Sequence, residues 1–219
     1  YNLPVYVAYY RRTLPGFLKI KSLIESGEIG KPRFAVFHIF NFQSEDEKAG
    51  RLPWRVMPEI SGAGHFFDLA SHQLDYLDFL FGPVREISSL AINQGGLYKA
   101  EDFVSASFLF DKNIAATGIW SFSAPREANR DTFEVIGEKG LIKTSTFTYD
   151  PIILTNGDGT KEYVNERPEN IQFYLIEQIV KALSGGPDKV VSTGITAART
   201  SRVMDEVVKK YYETNEIRK

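Results

Sequence analysis

VREISSLAIN (residues 84–93), FVSASFLF (103–110), IAATGIWSFS (114–123), TFEVI (132–136) and LIKTST (141–146) follow one another with no helical stretch between them. Each is rich in β-branched and aromatic side chains or alternates apolar with polar, which suits a half-buried pleated strand. Turn residues punctuate the run at Gln94-Gly95-Gly96, at Asp111-Lys112-Asn113 and at residues 137–140, which begin and end in glycine. Short loops join antiparallel neighbours, whereas parallel neighbours need a crossover of about a dozen residues or more. Helices lie before and after this run rather than between its strands. The fold class is therefore α+β, one large, mostly antiparallel open sheet with helices packed on one face, and not a doubly wound fold.

Upstream, a helix over residues 65–81 is closed by Gly82-Pro83. Residues 33–43 alternate as a strand, with Phe34, Val36 and His38 on one face. Phe17, Ile20, Leu23 and Ile24 recur at helical spacing and place a helix over residues 16–26, stopped by Gly27. Residues 5–10 are expected as a short strand or an extended entry segment and the charged stretch 44–52 as a loop. Downstream, Asn156-Gly157-Asp158-Gly159 turns between short strands at 152–154 and 162–164. Two helices close the chain: residues 168–183, with Ile171, Leu175, Ile179 and Leu183 on one stripe, and residues 194–214. No linker, repeat or low-complexity tract interrupts residues 1–219, which read as a single domain.

Of the 219 residues, 43% are hydrophobic, enough for a buried core. A net charge of -2 gives no strong attraction to nucleic acid or to an anionic membrane. No apolar run approaches the roughly 20 residues that cross a bilayer. The chain has no cysteine, which excludes disulfides and cysteine-ligated metal and is compatible with the cytoplasm. It opens Tyr1-Asn2-Leu3-Pro4, without an initiator Met or a leader, which fits a fragment, a processed chain or a trimmed one.

The helix over residues 65–81 carries the chemistry. At 3.6 residues per turn, His65, Asp68, His72 and Asp75 fall at i, i+3, i+7 and i+10 and share one stripe. Nicotinamide-linked oxidation of an alcohol needs a base for the hydroxyl proton, and a histidine titrates near the working pH. Asp68, one turn from His72, could orient that ring or bind substrate, and a close carboxylate favours imidazolium. An Asp/His pair at i, i+4 is also an ordinary helix-surface contact. Gly62 and Gly64 either admit a ligand to the backbone or shape a turn. Tyr9, Tyr10 and Trp54 could stack on a ring or simply pack. His38, alone in a strand, reads as packing or surface. Gly62-Ala63-Gly64-His65-Phe66-Phe67 lacks the third glycine of a dinucleotide fingerprint and follows a loop instead of a strand. Two other readings stand beside this one. His65, Asp68 and His72 could ligate a metal from one helix face, or the chain could be a non-catalytic carbohydrate-binding or assembly module that works through its sheet.

The stretch from Gly62 to Asp75 resembles a signature of the glucose-fructose oxidoreductase/inositol dehydrogenase/MocA family: a glycine triplet, three residues, Asp, three residues, His, two residues, Asp. Flanking segments agree: Tyr9-Tyr10-Arg11-Arg12 with Pro15, Ile24 to Gly30, Pro53-Trp54-Arg55, and Phe133 to Gly140. The likeness runs over nearly the whole chain, with Ala63 in place of the middle glycine. It implies a dihydrodipicolinate-reductase-like C-terminal α+β domain whose sheet serves in homo-oligomer contacts. A Rossmann domain on its N-terminal side, absent from these residues, would bind NAD or NADP, with a sugar or polyol between the two. By the same resemblance His72 is the proton-transfer residue and Asp68 a catalytic-site residue that positions substrate or supports it. Arg12, Trp54, Arg55, His65 and Asp75 are then expected at substrate, and Gly62 and Gly64 at the cofactor. Without the partner domain and its Glu-Lys-Pro motif, the 219 residues are expected to be inactive alone.

Overall fold

The computed structural model describes residues 3–187 and 189–216. The chain enters as extended backbone with a single bridge, Tyr6 to Thr193, and then makes a 3-10 turn at Tyr10–Thr13. Of the two forms expected over residues 5–10, the extended segment occurs and the strand does not, because the neighbouring stretch before Gly194 is irregular and continues no ladder. Helix α1 (Pro15–Glu25) begins on a proline, whose missing N–H is harmless in the first turn, and buries Phe17, Ile20 and Leu23. Strand β1 (Pro32–Phe40) follows. The expected loop holds one helical turn, α2 (Glu45–Lys48), closed by a capping box. In it Glu47 N donates to Ser44 Oγ at 3.2 Å and Ser44 N to Glu47 Oε2 at 2.8 Å. A second short helix, α3 (Pro58–Ser61), leads to the long α4 (His65–Phe81).

Seven more strands follow: β2 (Val84–Ile92), β3 (Phe103–Phe110), β4 (Ala115–Ser121), β5 (Arg130–Gly137), β6 (Gly140–Thr144), β7 (Ile152–Asn156) and β8 (Gly159–Tyr163). With β1 they make one eight-stranded open sheet in the order β2-β3-β4-β1-β5-β6-β7-β8. All neighbours are antiparallel except β1 and β4, which run parallel. The first strand in sequence is thus inserted into the middle of the sheet. The α+β class and the largely antiparallel sheet hold, and no strand-helix-strand pattern of a Rossmann fold occurs among the described residues.

Alternation along the strands sends one face into the core. Ala35, Phe37 and Ile39 of β1 are buried there with Val104, Ala106 and Phe108 of β3 and Trp120 of β4. Phe34, His38 and Phe40 lie on the other face, Phe34 being 41% exposed. Helix α4 packs on the buried face: the Phe66 ring meets Trp120 edge-on at 4.8 Å, and Trp120 Nε1 donates to Gln73 Oε1 at 2.7 Å. Each large apolar side chain so buried contributes roughly 1.5–3 kcal/mol. At Gly118, opposite Phe37 in the β1–β4 pair, a Cβ would stand 2.2 Å from the Phe37 ring, so only glycine leaves that ring its place.

Helix α5 (Phe173–Leu183) starts later than residue 168, because Asn170 turns the chain first by accepting Gln172 N at 3.0 Å. Of the stripe Ile171, Leu175, Ile179 and Leu183, only Leu175 is buried; Leu183 is exposed, as are Phe173, Ile176 and Val180 beside the stripe. Helix α6 (Gly194–Thr214) opens with a Thr193/Thr196 capping box and buries Met204, Val207, Val208 and Tyr212. It lies along the inner side of β2, where Ser89 Oγ donates to Val207 O at 2.8 Å. No helix among the described residues is long and apolar enough to cross a membrane.

Candidate active site

Helix α4 displays His65, Asp68, His72 and Asp75 on one stripe, as the spacing implies, but each meets a partner from a different segment. His65 Nε2 pairs with Glu47 Oε1 at 2.9 Å, against the rings of Phe122 and Tyr98. Arg55 Nε donates to Asp68 Oδ2 at 2.9 Å, and the guanidinium lies over the Trp54 ring at 4.7 Å. Trp54, Arg55 and Asp68 form an exposed edge beside the start of α4.

His72 sits in an aromatic recess. Its ring lies 5.1 Å from Tyr10, 5.7 Å from Tyr9 and 6.3 Å from Phe147. Its Nδ1 is sealed from solvent without a hydrogen-bond partner, while the residue as a whole stays partly exposed. Burial first, and then the nearby Arg11 cation, push its pKa down to about 3. The expected pairing of Asp68 with His72 is not present: no hydrogen bond joins them, Asp68 being held by Arg55. The imidazole is therefore neutral at physiological pH, and its charge is set by burial instead of by a carboxylate.

Arg12 and Asp75, expected at substrate, are sequestered on each other. Arg12 Nε and Nη2 fork onto Asp75 at 2.8 and 2.7 Å, and Nη2 also reaches Asp78 Oδ2 at 3.0 Å. Arg199 holds the same Asp78 with two bonds, at 2.9 and 2.7 Å. Arg12 and Asp75 are buried, so within this domain they clamp the 3-10 turn to α4 rather than face a ligand. Gly62 and Gly64, expected at a cofactor, are also used internally. Gly62 has φ 85° and ends α3. Gly64 N donates to Glu101 Oε1 at 3.1 Å, and a Cβ there would meet Glu101 O at 2.8 Å. The metal reading fails on geometry: among the described residues no three His, Cys, Asp or Glu side chains converge, and His65 and Asp68 have partners of their own.

One residue of the recess was not singled out from sequence. Arg11 is buried, stacked at 4.3 Å over Phe147 and 5.1 Å over Tyr10, and donates from Nε to Thr146 O at 3.1 Å. Its Nη1 is buried with no partner, and burial lowers its pKa. The available signal was the Tyr9-Tyr10-Arg11-Arg12 run: adjacent arginines just ahead of an apolar helix must both find interior partners when the turn packs inward.

The open sheet, the helix laid against it and the neutral imidazole in an aromatic recess define a helix-backed α+β domain with a one-sided site. The GFO/IDH/MocA C-terminal domain family matches residues 17–143, more than half of the chain. An oxidoreductase of Formosa agariphila is 35% identical over 180 residues, covering 82% of this chain and 54% of its own length. Myo-inositol 2-dehydrogenase of Thermotoga maritima is 26% identical over 198 residues, covering 86% and 56%. The crystal structure of an oxidoreductase from Thermotoga maritima superposes with a TM-score of 0.77 at 27% identity, covering 93% of this chain and 59% of that one. The chain belongs to the GFO/IDH/MocA C-terminal domain family. It spans about half the length of the relatives it matches.

Proposed function

We propose that this domain is the substrate side of an NAD(P)-dependent oxidoreductase acting on the CH–OH group of a sugar or polyol, with His72 as the proton-transfer residue. The observation that carries this is the position of the His72 ring, recessed among Tyr9, Tyr10 and Phe147 on a helix inside the family-matched residues 17–143, where burial lowers its pKa to about 3. An unprotonated imidazole nitrogen accepts a hydroxyl proton; an imidazolium cannot. With Nδ1 sealed, Nε2 is the atom to receive it. The buried Arg11 cation, close enough to act on the His72 ring, also favours the negative charge that develops on the oxygen, which offsets the weak basicity of so buried a ring. The aromatic walls take the carbon face of a polyol, and the exposed Trp54–Arg55–Asp68 edge supplies further hydroxyl contacts.

The hydride released in that oxidation finds no acceptor in these residues. Gly62 and Gly64 serve turn and packing, and no phosphate-binding strand-turn-helix occurs among the described residues. NAD or NADP would be held mainly by a further Rossmann domain, for which the relatives' extra length leaves room. Assembly into homo-oligomers through the outer sheet face, and a cytoplasmic location, belong to the same proposal. The 219-residue chain, given NAD+ or NADP+ and a panel of polyols, should form no reduced nicotinamide. A protein that carries the missing half should do so, and there His72→Gln should lower kcat by about 10²–10⁴ with a smaller change in KM. An unchanged kcat would remove His72 from the reaction.

A further inference from the structure

A cavity of about 370 Å3 opens between α6, the C-terminal half of α4 and the start of β2. We propose that it binds a small organic anion, a phosphate monoester or a carboxylate, through Arg85, Arg199 and Arg202. The three arginines that line it come from β2 and α6, and Leu74, Ile87 and Val203 give the cavity an apolar floor. Convergent polar groups over such a floor are what a small-molecule site needs, and the volume lies at the small end of the roughly 300–1,000 Å3 of such sites. Arg199 is fixed in place because its Nε and Nη2 grip Asp78, which leaves Nη1 without a hydrogen bond. Arg85 and Arg202 make no hydrogen bond or ion pair among the described residues.

Two carboxylates, Asp78 and Glu206, line the cavity with the three arginines and leave one cation in excess. Asp78 is shared between Arg199 and Arg12, and Glu206 pairs with Lys209 along α6 at 3.9 Å. An anion with two acceptor oxygens suits the positive charge that Asp78 and Glu206 offset only in part. The cavity is separate from the His72 recess. Leu74 and Asp78 follow His72 by two and six residues, which turns them about 160° and 120° around α4 at 3.6 residues per turn. The proposal stands on binding alone and does not depend on the chain being part of an oxidoreductase.

Isothermal titration of the chain at low salt tests it, with inorganic phosphate, glucose 6-phosphate, gluconate and glucose as probes. Saturable one-to-one binding of glucose 6-phosphate or gluconate, and none of glucose, is the expected result. The stronger of the two charged sugars names the head group, and inorganic phosphate should bind more weakly than the monoester because it leaves the apolar floor uncovered. Arg85→Ala and Arg202→Ala each remove an exposed, unpaired cation and should keep the fold while weakening binding about tenfold or more. Lys161→Ala, on the far edge strand, should leave it unchanged. The proposal is overturned if neither charged sugar binds saturably, or if both arginine variants bind as well as the parent chain.

Discussion

The uncharged state of His72 links the recess to stability. In the unfolded chain the ring takes up a proton below its ordinary value of 6.5, whereas in the folded chain it resists protonation until about 3. Between those values the unfolded state binds more protons, so stability is full above about 6.5 and falls with pH by up to about 1.4 kcal/mol per unit. His72→Gln should flatten this slope in urea titrations run from neutral pH down to about pH 4. A slope as steep as the parent's would mean that other groups set it. The helical period of the sequence is enough to place His65, Asp68, His72 and Asp75 on one face of α4. It is not enough to pair them, because Glu47, Arg55, Arg11 and Arg12 reach them from segments far apart in the chain, and only tertiary packing decides which partner meets which.

At the level of elements, local patterns read well where an element buries a single stripe and poorly where a few polar side chains decide. Strand β3 and helix α6 follow their apolar periodicity closely. The one-turn α2 depends on the Ser44/Glu47 exchange, and the start of α5 on the Asn170 turn, neither of which has an apolar period. The exposed apolar side of α5 was invisible for a different reason: a hydrophobic stripe shows which residues prefer cover, not where the cover is. Gly118 offers the sharpest test of packing between strands. Gly118→Ala would push a methyl group into the Phe37 and Trp120 rings and should cost about 1–3 kcal/mol, read as a lowered denaturation midpoint. A neutral change would show that the rings are loosely held.

For the molecule as a whole, the class and the antiparallel run were legible because consecutive strands joined by short loops pair with each other. The position of β1 was not, since it is fixed by pairing with strands about 80–100 residues later. On the outer face, Phe34 stands beside Ala115 and Ile136, and Leu90 is exposed as well. If assembly runs through this face, sedimentation velocity should show a dimer or larger species that Phe34→Glu dissociates. A chain that stays monomeric at every concentration would reject that arrangement.

The central placement of β1 also bears on biosynthesis. A ribosome delivers it long before the two strands that flank it, and at roughly 5–20 residues per second the wait lasts several seconds. Throughout that interval a sticky segment, PRFAVFHIF, has both of its edges open. Slowed translation beyond residue 40 should therefore increase recruitment of chaperones to the nascent polypeptide.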